Sequence, residues 1–390
     1  MKFLVFVIPF IFISLTSRGQ SFEPGESYLD ENAYVEYLAG NLPIIISVPH
    51  GGYLEPDSIP DRDCDDCLYF RDSYTQELSF GLREAIYDKT GCYPHMVINL
   101  LHRKKFDANR SIETAADGNP LVENSWQAYH DFIDSAKTAA VEAYGRALFI
   151  DMHGHGHDIE RIELGYLFTK TELQLSDEEL NTTELINETS IKQLISDNIG
   201  ELTCSELLRG DQSLGSLLHA QGFPSVPSNA IPAPLGEEPY FSGGYNTIQH
   251  GSKYGGFVDA VQLEFHSEVR WDESLRLELA DSLATTLIQY INMHYNNEFA
   301  TYFCSLPDLD IENIAANDLV IYPNPSTGII KLPKHLNGAF SVYNIKGSIV
   351  FYRQINGSSK MDISHLEEGI YFICFTNLVG EPTVCKIIKQ

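Results

Sequence analysis

The chain has 390 residues, which is enough for two domains, and its composition is that of a soluble globular protein. Its formal net charge of −28 argues against nucleic acid or an anionic membrane as the main partner. An anionic substrate would therefore need a local cationic pocket.

The first 20 residues are predicted to be a signal peptide. Lys2 supplies an early positive charge, residues 3–15 are almost wholly apolar, and small polar residues follow. The apolar stretch is too short for a comfortable membrane span, and no later stretch reaches its length. We expect a mature chain that begins near Ser21, lies outside the cytoplasm and has no membrane span.

A buried strand is predicted over residues 44–48, which are rich in β-branched side chains. It ends in Pro49-His50-Gly51-Gly52. This pattern alone is as consistent with a tight turn as with a functional site.

A helix is predicted over residues 72–88, because apolar side chains recur there at every fourth position. Asp72 would lie in its first turn, where a carboxylate suits the helix dipole. Taken alone, the local pattern favours that structural role for Asp72.

The densest cationic segment of the chain spans residues 102–110 and ends in Asn109-Arg110. A solvated basic loop is one interpretation. In so acidic a chain we favour a pocket for a carboxylate, since arginine offers planar two-point recognition.

The apolar run Ala147 to Ile150 predicts a buried strand, and Asp151-Met152-His153-Gly154-His155-Gly156-His157 follows it. In open α/β sheets, ligands bind at the carboxyl ends of strands. Imidazole is also the commonest protein ligand for zinc. We therefore favour a metal or catalytic site over a polar turn with surface histidines.

A further buried strand is predicted over residues 258–265, interrupted by Gln262 and Glu264. A buried carboxylate is costly unless it is paired or functional. Near a metal, Glu264 would be a natural general base, and a structural salt bridge is the competing interpretation. The preceding segment 241–251 suits a substrate lid or specificity loop.

The chain changes character after an acidic stretch at 305–317, which is predicted to be a linker. Residues 318–390 carry 7 Lys+Arg and 5 Asp+Glu, a net of +2, whereas the rest of the chain has a net of −30. Short β-rich runs alternate with turns in this tail, which predicts a small all-β domain.

Seven cysteines are present, as is common in exported proteins that form disulfides. For Cys64 and Cys67 we favour a local disulfide or free thiols over a metal knuckle, because no second such pair exists. Cys374 and Cys385 lie on neighbouring predicted strands and could pair.

Several segments together, in this order, resemble the N-formylglutamate amidohydrolase family. They are Val48-Pro49-His50-Gly51-Gly52, Asp72, Phe106-Asp107-Ala108-Asn109-Arg110, Asp151-Met152-His153, Gly243-Gly244-Tyr245 with His250, and Gln262-Leu263-Glu264. The resemblance covers about residues 40–295. The same segments are also similar, more distantly, to those of the zinc carboxypeptidases. It implies an α/β fold, a three-layer αβα arrangement with a mixed central sheet, over the domain 21–304.

The resemblance also implies roles for individual residues. His50, Asp72 and His153 would bind Zn²⁺, and Glu264 would be the catalytic base. The substrate would be bound by Asn109, Arg110, Tyr245 and His250. Zinc carboxypeptidases have a glutamate three residues after the first histidine, where this chain has Tyr53. The identity of the third metal ligand is therefore left open by the resemblance.

The segment Val320-Ile321-Tyr322-Pro323-Asn324-Pro325-Ser326-Thr327-Gly328 resembles the opening motif of the type IX secretion system sorting domain. This resemblance over residues 318–390 implies a small all-β sandwich without a catalytic role. It also implies export through the periplasm to the cell surface or medium, with the type IX machinery as partner.

The sequence thus predicts a secreted zinc amidohydrolase that cleaves an N-acyl amino acid or a small peptide with a free carboxylate. Two alternatives remain open. One is a zinc carboxypeptidase-like peptidase, and the other is a non-catalytic surface binding module on the same scaffold.

Overall fold

The structure, a computed structural model, describes residues 22–64, 67–295, 321, 323–332, 337–344, 349–356, 360–364, 366–377 and 382–390. The predicted signal peptide (1–20) and linker (305–317) lie outside the described residues. The chain divides into two compact units, one up to Leu306 and the other from Pro307 onward.

The first unit is built on an eight-stranded mixed sheet with strand order β1-β2-β4-β3-β5-β8-β6-β7. The central run β4-β3-β5-β8 is parallel, and antiparallel pairing flanks it on both sides. The strands are β1 (Ser27–Leu29), β2 (Val35–Leu38), β3 (Ile44–Val48), β4 (His95–Asn99), β5 (Ala147–His155), β6 (Ile162–Gly165), β7 (Ser225–Val226) and β8 (Val258–His266).

Helices connect the strands. They are α1 (Thr75–Thr90), α2 (Ile112–Ala116), α3 (Pro120–Tyr144), α4 (Lys170–Leu173), α5 (Asp177–Leu180), α6 (Thr183–Ile186), α7 (Lys192–Asp197), α8 (Cys204–Arg209), α9 (Leu214–Ala220), α10 (Tyr245–His250), a 3₁₀ turn (Ser252–Tyr254), α11 (Ser267–Trp271) and α12 (Glu273–His294). Among the described residues, no helix combines the length and apolarity that a membrane crossing needs.

Two hydrophobic cores cover the two faces of the sheet. On β3, Ile44 and Ile46 belong to the core that includes side chains of α1 and α12. Ile45, between them, belongs to the core that includes side chains of α3. Because alternate residues of a strand point to opposite faces, the sheet lies between two helical layers. This confirms the predicted three-layer αβα class with a mixed sheet.

Strand β5 is longer than predicted. It continues through His155, so the histidine-rich segment is strand for most of its length and not a turn. All nine residues of β5 pair with β8, and residues 148–151 also pair with β3 on the other side. The histidines therefore have positions fixed by the sheet register.

The second unit consists of small antiparallel sheets, as predicted for a small all-β domain. Its strands are β9 (Ile329–Lys331), β10 (Asn337–Asn344), β11 (Ile349–Asn356), β12 (Lys360–Asp362), β13 (Gly369–Asn377) and β14 (Pro382–Lys389). Four strands form one sheet in the order β11-β10-β13-β14, and β12 pairs with β9. One core joins the two sheets, with Ile330 and Met361 from the smaller and Phe340 and Ile373 from the larger.

The cysteine predictions had mixed outcomes. Cys64 and Cys67 form a local disulfide. Cys374 and Cys385 are both free, so the suggested pairing between them is wrong. In the β13–β14 pairing Cys374 lies opposite Val384 and Cys385 lies opposite Ile373. The offset of one residue directs the two cysteines to opposite faces of the sheet.

Candidate active site

Three predicted metal ligands converge at the end of the parallel strands. His50 follows β3, His153 lies on β5, and Asp72 comes from the loop before α1. One ligand atom from each lies within 4.8 Å of the others, and all three residues are buried. Asp72 Oδ2 is 3.4 Å from His50 Nδ1 and 3.3 Å from His153 Nδ1.

A carboxylate holds the far nitrogen of each imidazole. Asp107 Oδ1 lies 2.6 Å from His50 Nε2, and Asp151 Oδ2 lies 2.8 Å from His153 Nε2. Histidines that bind metals typically donate their other N–H to a carboxylate or carbonyl, which fixes the tautomer and the ring orientation. Both rings therefore present Nδ1 to the same point beside Asp72.

The residues present fit a zinc ion. His50 Nδ1 is buried and has no hydrogen-bond partner among the described residues. A buried imidazole nitrogen without a partner is costly, and a cation would remove that cost. Two imidazoles and one carboxylate also form a donor set of catalytic zinc sites, which keep a further position open.

The position of Asp72 corrects the sequence-based interpretation of this residue. Helix α1 begins at Thr75, with Tyr74 as its N-cap, so Asp72 precedes the helix and is not part of its first turn. The backbone N–H of Asp72 donates to His50 O at 2.9 Å, and Gly154 N donates to Asp72 Oδ2 at 3.1 Å. These bonds aim its carboxylate at the two histidines instead of at the helix dipole.

Electrostatics keep the Asp72 carboxylate ionised. Burial by itself raises the pKa of Asp72, but the interactions with His153 and His50 outweigh burial and hold that pKa well below its usual range. For His153, burial lowers the pKa, whereas attraction to Asp151 and the hydrogen bonds to Asp151 and Asp72 raise it well above its usual value.

Glu264 lies on β8 directly opposite His153, and on its other side it is opposite Glu163 of β6. It is 5% exposed and accepts a hydrogen bond from Gln262 Nε2 at 2.9 Å. Burial raises the pKa of Glu264 to about 8. The charge on His153 lowers this pKa, whereas the negative charge of Asp72 raises it further. Among the described residues it forms no ion pair within 4.0 Å, so the salt-bridge interpretation finds no support.

Asn109 connects the candidate ligand group, which is His50, Asp72 and His153, to α10. Its side-chain Nδ2 lies 3.3 Å from His153 Nε2, and its Oδ1 accepts a hydrogen bond from Asn246 N at 2.8 Å. A Cβ on Gly244 would overlap the Asn109 amide, so a glycine is required there for close packing. The amide of Asn109 is thus engaged within the protein, and its predicted substrate contact remains a prediction.

Arg110 differs from the other cations of its segment. Arg103, Lys104 and Lys105 each pair with an acidic side chain of this chain. Arg110 donates to Asn109 O at 2.8 Å and forms no ion pair with any carboxylate that the structure describes. A partly exposed guanidinium without an ion pair to a described carboxylate therefore follows Asn109 directly along the chain.

The structure separates the two predicted substrate residues of α10. Tyr245 is half-buried beside Trp126 and His130, with ring centroids 6.4 and 5.8 Å away. The Trp126 indole N–H donates to Arg110 O at 2.9 Å, so Tyr245 shares a neighbourhood with Arg110.

His250, at the other end of α10, is buried, and its Nε2 lies 2.9 Å from His130 Nδ1. Its ring also packs against Phe149, with centroids 5.2 Å apart. Burial holds the pKa of His250 well below its ordinary value and lowers that of His130 to about 4. These contacts place His250 in a neutral buried histidine pair, and its predicted role toward substrate remains untested.

His155, His157 and Glu163 form a second group whose ligand atoms lie within 4.8 Å of one another. Both nitrogens of His155 are engaged, Nε2 with Arg161 O at 2.8 Å and Nδ1 as acceptor for His157 N at 3.2 Å. Glu163 lies 3.6 Å from the Arg161 guanidinium and accepts a hydrogen bond from Phe241 N at 2.8 Å. This group fixes the loop at Phe241 to β6, and the engagement of both His155 nitrogens disfavours a metal there.

Asp107 and Asp151 hold the two candidate histidine ligands, and these contacts were not predicted from the sequence. Both lie inside motifs described above. Asp107 is two residues before Asn109, and Asp151 is two residues before His153. For Asp151 this spacing is the signal that could have indicated its role, because residues two apart in a strand point to the same side. Asp107 lies in the loop between β4 and α2, and its contact with His50 comes from a distant segment, so no local signal indicates it.

Comparison with known proteins identifies the second unit. Residues 320–390 match the family model of the secretion system C-terminal sorting domain. This domain confirms the predicted sorting tail and assigns the protein to export by the type IX system, to the medium or the cell surface. The machinery of that system is accordingly a partner of the tail.

One curated relative is beta-agarase D of Zobellia galactanivorans. It is 31% identical over 70 residues, which are 18% of this chain and 14% of that protein. The chain thus covers about a seventh of the length of this relative.

Two solved structures are similar to the chain at low TM-score. An N-formylglutamate amidohydrolase from Ralstonia eutropha gives a TM-score of 0.40 at 12% identity, covering 69% of this chain and 98% of that one. A gene product of Agrobacterium tumefaciens gives 0.38 at 11% identity, covering 66% and 95%. At such low similarity, function has to be inferred from the residues of the site.

Proposed function

We propose that this secreted protein is a zinc-dependent amidohydrolase that cleaves the amide bond of an N-acyl amino acid or small peptide with a free carboxylate. One observation carries the proposal. The Nδ1 atoms of His50 and His153 face Asp72 Oδ2, and a carboxylate holds the other nitrogen of each ring. Glu264, a buried carboxylate that forms no ion pair among the described residues, lies opposite His153 of this group.

His50, Asp72 and His153 would hold the zinc ion. When bound with an open position, zinc makes water more acidic and polarises an amide carbonyl. Asp107 and Asp151 keep both imidazoles in the tautomer that presents Nδ1, so no ring has to turn when the metal arrives.

Glu264 is the proposed general base. It would accept a proton from the attacking water and return it to the leaving nitrogen. Its pKa of about 8 without a metal means that its carboxyl group is mostly protonated at neutral pH. A nearby bound cation lowers a carboxyl pKa, which leaves Glu264 ionised and ready to accept a proton at neutral pH.

Arg110 would recognise the substrate carboxylate. It forms no ion pair with a described carboxylate, and it lies next to Asn109, whose amide contacts His153. In a chain of net charge −28, a guanidinium without an ion pair to a described carboxylate would offset repulsion of an anionic substrate. Two-point binding of a carboxylate would align the amide for attack.

A screen of metal content and substrates tests the proposal. The chain without residues 1–20 is purified and its zinc measured, then stripped with a chelator and reloaded. It is assayed on N-formyl and N-acetyl amino acids, on short peptides with a free carboxyl terminus, and on the same compounds with the carboxyl group amidated.

We expect stoichiometric zinc and hydrolysis that the chelator abolishes and zinc restores, with strong preference for the free carboxylate. Absence of stoichiometric zinc would contradict the proposal and favour a non-catalytic binding module. Clear preference for longer peptides over single N-acyl amino acids would favour a carboxypeptidase-like peptidase.

A further inference from the structure

One buried arginine connects the three backbone segments that carry the candidate site. Arg270, on α11, is 4% exposed. Its Nε donates to Phe265 O at 2.9 Å, one terminal nitrogen donates to His155 O at 3.1 Å, and the other donates to Ser73 O. Three donors of one planar group are therefore used on three main-chain carbonyls.

Each of these carbonyls belongs to a residue that lies one or two positions after a candidate site residue. Ser73 follows Asp72, Phe265 follows Glu264, and His155 lies two residues after His153. The segments belong to the loop before α1, to β8 and to β5, which are far apart along the chain. Pairing of β5 with β8 fixes two of the segments to each other, but the loop that holds Asp72 is outside the sheet.

Gly154 makes room for this arrangement. A Cβ at position 154 would overlap the Arg270 guanidinium, so even alanine would displace the arginine. The backbone N–H of Gly154 also donates to Asp72 Oδ2 at 3.1 Å. The glycine and the arginine thus act on the same loop from adjacent positions.

Arg270 forms no ion pair with any described carboxylate, although it is buried. A buried cation costs free energy unless hydrogen bonds and nearby negative charge compensate it. Simple packing of α11 would be achieved by an apolar side chain at less cost. The rigid fork of a guanidinium is what the three carbonyls require, because a lysine ammonium cannot reproduce its planar spacing.

We propose that Arg270 is a positioning residue that sets the distance of Asp72 from His153 and Glu264. It does not touch the substrate and acts through the backbone of the three segments. The inference rests on the proposed function, because it assigns a role toward the metal and the base.

The test compares Arg270→Lys and Gly154→Ala with the wild-type chain and with Arg83→Lys. Arg83 is a matched control, since it is another buried arginine, on α1, and its described contacts are Glu84 and Tyr93. Zinc affinity of the folded protein is measured by competition with a chromophoric chelator, together with Tm, kcat and KM.

We expect Arg270→Lys to weaken zinc affinity by roughly 10- to 100-fold, the usual effect of losing a residue that orients metal ligands. kcat should fall while KM changes little, because Arg110 is untouched. Gly154→Ala should act in the same direction with the arginine still present, and Arg83→Lys should bind zinc as the wild type does.

The outcomes separate the inference from the function on which it rests. If the wild type binds no zinc, the proposed function fails and the inference fails with it. If the wild type binds zinc and the folded Arg270→Lys chain binds it equally well, Arg270 has only a structural role and the inference alone is overturned. Should Arg270→Lys not fold, unchanged zinc affinity in Gly154→Ala overturns the inference in the same way.

Discussion

Glu264 and His153 lie directly opposite each other in the parallel pairing of β5 with β8. Opposing residues of neighbouring strands point to the same face of a sheet, so the proposed base and a proposed ligand are neighbours by register. A slip of one residue would turn one of them to the other face. The sheet thus fixes this part of the site independently of any side-chain bond between the two.

Replacing Glu264 by glutamine tests the base. Glutamine keeps the size and hydrogen-bonding capacity of glutamate but cannot accept the proton. Zinc content and KM should stay near the wild-type values, while kcat falls by roughly 10² to 10⁴. The measurements are zinc content, Tm and kcat on the single variant Glu264→Gln.

These three measurements distinguish the roles that Glu264 could have. Loss of zinc together with rate would indicate a metal ligand. A lower Tm with nearly normal kcat in the folded fraction would indicate a structural residue. Retention of more than about a tenth of the wild-type kcat rules out the base assignment, because a general base contributes more than that to the rate.

Replacing His153 by alanine tests the metal group. Two remaining ligands hold zinc poorly, so His153→Ala should lose most of its zinc and nearly all activity. His219→Ala is the control, because His219 is a half-buried histidine on α9, outside the site. Full zinc occupancy in His153→Ala would show that this histidine is not a ligand.

Replacing Arg110 by glutamine tests carboxylate recognition. Hydrogen bonds to charged groups contribute about 1.5–3 kcal/mol, so KM for free carboxylates should rise roughly 10- to 100-fold. Lys104→Gln removes the same charge from the same segment, but Lys104 already pairs with Glu55 at 2.6 Å, so KM should change little. Equal effects of the two variants would mean that only the overall charge matters.

Buried Asp259 should make stability depend on pH. Burial raises the pKa of Asp259 to about 6, against hydrogen bonds from Ser252 and Leu194 that lower it. Between its ordinary value near 4 and about 6, the folded chain holds a proton that the unfolded chain has lost. The contribution of this group to stability is therefore present at low pH and is lost as pH rises through this window.

Unfolding free energies of wild type and Asp259→Asn at pH 4 to 7 check this prediction. Relative to Asp259→Asn, the unfolding free energy of the wild type should fall by on the order of 1–3 kcal/mol as pH rises. His95, whose pKa burial lowers to about 4, titrates in both proteins and cancels from the difference. A constant difference across the range would contradict the prediction.

A chain that ends at residue 305 tests the independence of the first unit. The division between the two units falls at Leu306 and Pro307, and the candidate site residues all lie before it. The shortened chain should fold, bind zinc and keep its kcat, because a domain with its own core folds alone. Folded but inactive protein would show that the tail contributes to catalysis.

The sequence predicted the strands that position His50, His153 and Glu264, although not β1, β2 or β7, for a physical reason. Apolar runs such as 44–48 and 147–150 end where polar residues begin, and parallel strands bring those ends together. Residues 50 and 153 could therefore be placed at one edge of the sheet without knowing their distance.

What the sequence did not predict depends on contacts between distant segments. Asp107 holds His50 from 57 positions away, and Arg270 reaches Ser73 across 197 positions. Local patterns carry no information on such pairs. For the same reason Asp72 was assigned to a helix turn, because its partners His50 and His153 come from other strands.

The carboxylates on the two histidine rings have a consequence for the order of assembly. Since Asp107 and Asp151 hold the rings through Nε2, protein atoms and not a metal determine their orientation. We therefore expect folding and metal uptake to be separable events. If the proposed zinc is bound, an exported chain of this design would fold first and take up the metal afterwards, outside the cell.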